Sequence, residues 1–136
     1  MTTVNPCRLS IDRGRFPEAA LEGSPAALRA LALALSRGHS TVIPLDTPGA
    51  SVVQELNDSP RLMVAVGLGL TLTLSGSAFA LNLVWSALTA TAESAARVTG
   101  EEVRRHTRIV YLGRGDQFRH PDTFPLVIGC NWPGDA

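Results

Sequence analysis

The sequence predicts an α+β fold: a two-layer sandwich of one mixed or antiparallel sheet, with two helices on one face, over residues 1–136 as a single domain. Three observations carry this. Val64–Gly76 reads V-A-V-G-L-G-L-T-L-T-L-S-G, with Val64, Val66, Leu68, Leu70, Leu72 and Leu74 on every second position. Period two gives one apolar face and one face of small groups, the pattern of a strand covered on one side. Two Ala/Leu-rich stretches, one starting at Pro25 and one after Gly76, carry apolar residues at helical spacing. Finally, Leu21–Leu35 aligns without gaps on Leu74–Leu88, which suggests an internal duplication of a β-α-β unit, with pseudo-repeats at about 8–46 and 61–130.

Along the chain, Arg8–Asp12 is the first strand candidate, with Leu9 and Ile11 on one face, and Phe16–Glu22 the second. Arg13-Gly14-Arg15 between them suits a hairpin turn. Ser24 can cap the helix Pro25–Ser36, Pro25 suits its first position, and Gly38 stops it. Thr41–Leu45 is a short strand, and Pro44 within it points to a sheet edge. Turn signals at Thr47-Pro48-Gly49 and Asn57-Asp58-Ser59-Pro60 enclose a further short strand candidate, Val52–Leu56.

Gly76 ends the organising strand and Ser77 can cap the helix that follows. The stripe Leu28, Leu31, Ala32, Leu35 of the first helix becomes Leu81, Val84, Trp85, Leu88 in the second. Docking of that second stripe is the main stabilising event, and Trp85→Ala is expected to cost about 3–5 kcal/mol. Glu93–Arg105 reads as a helix end and loop. Thr107–Leu112 and Leu126–Gly129 are the last strands, with Cys130–Gly134 as a short tail.

Composition narrows the function classes. At 136 residues, 45% apolar and 18% charged, the chain can bury a proper core and is not of disordered type. Twelve basic residues, all Arg, balance twelve acidic ones, so there is no basic field for nucleic acid and no acidic mimic of one. The absence of Lys reads as compositional bias in an Ala-rich chain. The N-terminus has no apolar run of signal-peptide type, and the expected location is cytoplasmic. Leu62–Ala92 lacks ionisable side chains over a length that could span a bilayer. Its alternation, its glycines and Asn82, and its switch to helical spacing after Gly76 argue against membrane insertion.

Catalytic signals are sparse. His39, His106 and His120 are scattered and the cysteines, Cys7 and Cys130, lie near opposite ends, so no metal-ligand spacing arises and no metal or cofactor is expected. A disulfide between the two cysteines is one reading, and a reduced pair is the default expectation. Cys130 could pair with His106 or His120, but it reads better as a small apolar residue finishing a strand. Gly67-x-Gly69 falls inside the strand pattern and lacks the helix of a dinucleotide loop. Those glycines would instead flatten an outer face of Ala65, Gly67, Gly69, Thr71 and Thr73, against which a second copy could pair.

The richest polar cluster is Arg114, Asp116, Gln117, Arg119, His120 and Asp122, on a connection between two strands. As a partner-binding surface it offers Arg119 and Asp122 as charged anchors and Phe118 or Phe124 as the apolar one. The surrounding segment, H-T-R-I-V-Y-L-G-R-G-D-Q-F-R-H-P-D-T-F-P-L-V-I-G (His106–Gly129), resembles the closing part of the immunity protein 32 family of bacterial polymorphic-toxin systems. The preceding L-T-L-S-G-S-A-F-A-L-N-L-V-W-S-A-L is similar to that family's strand–Gly–helix unit, so the resemblance spans about residues 70–131. The extra N-terminal unit Leu9–Leu45 departs from the pattern. The resemblance implies a non-enzymatic protein that binds and neutralises a partner toxin without a cofactor. Two other readings stand beside it: a small enzyme or ligand-binding protein using His106, His120, Asp122 or Cys130, and a structural homo-oligomer.

Overall fold

The computed structural model describes residues 4–15, 17–38, 40–96, 107–112 and 123–131. Its elements are β1 (Arg8–Asp12), β2 (Glu18–Glu22), α1 (Pro25–Arg37), β3 (Thr41–Pro44), β4 (Ala50–Leu56), β5 (Met63–Val66), β6 (Leu70–Gly76), α2 (Ala78–Ala96), β7 (Thr107–Leu112) and β8 (Leu126–Asn131). The α+β sandwich expected from the sequence is what the chain forms.

The single expected sheet, however, is two four-stranded sheets, ordered β1-β2-β8-β7 and β3-β4-β6-β5. Each is mixed: two antiparallel hairpins meet at a central parallel pair, β2 with β8 in one and β4 with β6 in the other. The reason lies in what each helix connects. The chain leaves the first sheet at β2, passes through α1, and enters the second sheet at β3. It leaves the second sheet at β6, passes through α2, and returns to the first at β7. Each β-α-β step thus crosses between sheets instead of closing within one. Both halves follow the order strand–strand–helix–strand–strand; shared order alone does not establish a duplication.

The organising stretch is also folded differently. Val64–Leu74 is not one strand but a hairpin, β5 and β6, turning at Gly67-Leu68-Gly69. Gly69 takes φ +72° and Leu68 at the tip is 99% exposed. The Gly67 N–H donates to the Thr71 carbonyl at 2.9 Å, closing the loop. The register pairs Val64 with Leu74 and Val66 with Leu72, so the apolar residues on both sides of the turn still share a face. Gly67 and Gly69 therefore do not flatten a sheet face; only Ala65, Thr71 and Thr73 of that set lie in strands.

Helix starts follow the sequence closely. Ser24 Oγ accepts from the Ala27 N–H at 3.1 Å, and Ser77 Oγ from the Ala80 N–H at 3.2 Å. Gly38 closes α1 in an extended conformation, its N–H donating to the Ala34 carbonyl. The helices pack side by side, and α2 also touches β6, β7 and β8. One core unites both sheets and both helices: Leu9, Leu21, Leu28, Leu31, Leu35, Val52, Leu72, Leu74, Leu81, Leu88 and Ile128 are all buried. Trp85, expected in the core stripe, is only partly buried. No helix among the described residues is long and apolar enough to cross a membrane.

The sheets are also joined directly. The Phe124 N–H donates to the Val64 carbonyl at 2.8 Å, and the Val64 N–H to Thr123 Oγ1 at 2.6 Å. Near the other junction the Asn5 N–H donates to the Pro44 carbonyl and the Asp46 N–H to the Cys7 carbonyl. At the hairpin tips, Arg13 Nη2 donates to the carbonyls of Gly67 and Gly69, at 2.9 and 3.1 Å. These bonds satisfy strand-edge groups that would otherwise stand open.

Candidate functional site

A groove of about 620 Å³ runs between α1 and α2. Its walls come from the helix positions next to the core stripes. On α1 the stripe Leu28, Leu31, Ala32, Leu35 points inward, and the neighbouring positions Arg29 and Leu33 line the groove. On α2, Trp85, Ser86, Thr89 and Glu93 face it. Leu33 is 49% exposed, an apolar side chain left in contact with water. The lining thus includes one aromatic side chain, Trp85, and the apolar Leu33, and Arg29 and Glu93 supply a charge of each sign.

Trp85 is held in place from beneath. Its Nε1–H donates to Gln54 Oε1 at 2.9 Å. Gln54, on β4, is 1% exposed, and its Nε2 donates to the carbonyls of Leu35 and Gly38 at 2.8 and 3.1 Å. Those carbonyls belong to the end of α1, where intrahelical donors run out. One amide therefore closes the end of α1 and orients an aromatic ring on α2. Every polar atom of the Gln54 side chain is used, which is what permits its burial. A ring fixed in this way loses little freedom on contact with a partner.

Of the residues singled out for partner binding, Arg114, Asp116, Phe118, Arg119, His120 and Asp122 lie outside the described residues. Phe124 is described: it is partly buried against the core. Its backbone bond to Val64 belongs to the junction between the sheets, so this side chain serves packing more than outward contact. His39 and His106 also lie outside the described residues. Cys7 and Cys130 are fully buried thiols. Among the described residues no three metal-ligating side chains come together.

The groove itself escapes sequence reading because Trp85 sits at core spacing with Leu81, Val84 and Leu88. A signal was present in the parallel row of Asn82, Ser86 and Thr89, small polar residues one step round the helix. No family model, curated protein or solved structure matches the chain.

Proposed function

We propose that this chain is a non-enzymatic protein-binding module of immunity type, which holds a partner toxin in the groove between α1 and α2. The observation that carries the reading is the groove's construction: Trp85, locked by Gln54, beside the exposed Leu33. A rigid aromatic flanked by an apolar side chain and rimmed by charge is the usual make-up of a binding hot spot. The resemblance of residues 70–131 to the immunity protein 32 family supports the same function. In this reading the connection containing Arg114, Asp116, Phe118, Arg119, His120 and Asp122 supplies a second contact with the partner. The protein acts in the cytoplasm, where a toxin would be met before it reaches its target.

The test uses the product of an adjacent toxin gene as the partner. Co-expression is expected to protect cells from it, and the purified proteins to form a stable complex. Leu33→Asp should weaken that complex by about 10-fold or more, since it places a charge in the desolvated centre. Arg119→Glu separates the contacts: a larger loss there than at Leu33 would move the interface to the connection. Full affinity in both variants would remove the reading.

A further inference from the structure

The chain divides between β4 and β5 into two halves, and each half is tied together from within. In the first, the Asn5 N–H donates to the Pro44 carbonyl and the Asp46 N–H to the Cys7 carbonyl, which fastens the segment ahead of β1 around the end of β3. In the second, the bonds of Val64 with Thr123 and Phe124 fasten β5 to the segment ahead of β8. Both parallel ladders run between the halves: Ala19–Glu22 against Leu126–Gly129, and Ala50–Leu56 against Leu70–Gly76. The α1–α2 contact, the Gln54–Trp85 bond and the Arg13 bonds to Gly67 and Gly69 cross the same boundary. Parallel strands are not joined by a tight turn, so neither ladder requires its two strands to be close in one chain.

The link between the halves is short and lies at the surface. Leu56 pairs with Gly76 on one side of β6, and Met63 pairs with Ser75 on the other. Residues 57–62 therefore cross over the end of β6, a distance of two strand spacings or about 9.6 Å. Asn57, Asp58, Pro60 and Arg61 are exposed. The crossing is fastened by the Asn57 N–H on the Gly76 carbonyl at 2.9 Å and the Ser77 N–H on the Ser59 carbonyl at 2.7 Å. Pro60 biases Ser59 towards an extended backbone. Straightening the link breaks those two bonds and leaves both ladders intact.

We infer that this chain exchanges halves with a second copy of itself, forming a closed dimer in which residues 4–56 of one copy pair with 63–131 of the other. Both ladders, the helix contact and the shared core are remade with the same partners, which is what makes exchange a low-cost route to a dimer. Concentration decides between the two forms. A short link holds the halves at an effective concentration of about millimolar. At about micromolar protein a half meets its own chain roughly a thousand times more often than another, and at about millimolar the two outcomes compete. Each groove of the dimer takes Leu33 and Gln54 from one copy and Trp85 from the other, so the copies build it jointly.

The test uses the full chain carrying Ser51→Cys and Thr71→Cys. These residues are parallel neighbours across the boundary and both half-buried, so a short thiol-reactive reagent bridges them. Cys7 and Cys130 are fully buried and do not compete in the folded protein. The protein is unfolded in urea, refolded at about 1 µM or about 1 mM, and bridged after separation by size. Micromolar refolding is expected to give a monomer bridged within one chain. Millimolar refolding is expected to add a species of twice the mass by light scattering, whose bridge joins two chains on a denaturing gel. A dimer whose bridges stay within single chains would overturn the exchange, and so would monomer alone at millimolar concentration. Deleting Asn57–Arg61 gives a second readout. Two Cα steps then reach about 7 Å, short of the crossing, so this shortened chain is expected to be dimeric even when dilute. A folded monomer of it would also overturn the inference; where circular dichroism shows it unfolded, refolding of the unshortened chain decides. Neither readout depends on a toxin partner.

Discussion

Gln54 does more than any other polar side chain among the described residues to tie separate elements together. It sits on β4, bonds the last carbonyls of α1 and receives the indole N–H of α2. Replacing it with Leu keeps the volume but strands all three partners, and an unpaired buried polar group costs about 1–3 kcal/mol. Gln54→Leu is therefore expected to lower stability by about 2–4 kcal/mol in urea unfolding. In a Trp132→Phe background the same change should red-shift Trp85 emission as the ring loses its anchor. The glycines offer a second contrast at this scale. Gly76 has φ +145°, and a Cβ there would meet the Ala80 Cβ at 2.9 Å and the Arg61 carbonyl at 3.1 Å. Gly69 has φ +72° with nothing within 4 Å. Gly76→Ala should cost about 3 kcal/mol from strain plus clash, and Gly69→Ala about 1 kcal/mol from backbone strain alone. Equal losses at the two sites would contradict the hairpin geometry.

Among elements, those with short-range instructions were legible in the sequence and those defined by remote partners were not. The alternation of Leu9 and Ile11 and the Ser24-Pro25 start give β1 and α1 within a residue of their observed ends. β7 is as the sequence predicts, and β8 runs two residues further than Leu126–Gly129, to Asn131. The β5–β6 hairpin was hidden because its turn preserves parity: pairing Val66 with Leu72 keeps every second residue facing the core. Only Gly67 and Gly69 betray it, and a glycine pair reads equally well as a flat strand. The division into two sheets was hidden for another reason. Nothing near Ala19 in sequence says that its parallel neighbour is Leu126. The groove was concealed by the same logic, since whether Trp85 joins the core depends on the distance between two helices. The junction between the sheets offers a check at this level. Thr123→Val removes the acceptor for the Val64 N–H while keeping its shape, and about 1–3 kcal/mol should be lost. Hydrogen exchange should show β5 opening first.

For the molecule as a whole, the exchange of hairpins makes each half dependent on the other. β1 and β2 find their sheet partners in β7 and β8, and β3 and β4 find theirs in β5 and β6. An isolated hairpin is marginal in water. Fragments 1–60 and 61–136, made separately, are thus expected to lack stable structure by circular dichroism. Mixed together, they should recover the signal of the intact chain. The intact chain should unfold in one transition, with far-ultraviolet dichroism and Trp85 fluorescence coincident, because a single core spans both halves. A stable isolated half would show that the two halves do not depend on each other.

The pairing of Ala19 with Leu126 also sets a timetable. On the ribosome, β1 and β2 emerge early but cannot complete their sheet until β8 has left the exit tunnel. At about 5–20 residues per second the first hairpin waits several seconds with its inner edge open. During that interval it is a surface for nascent-chain chaperones, and the first sheet closes only once β8 is within reach.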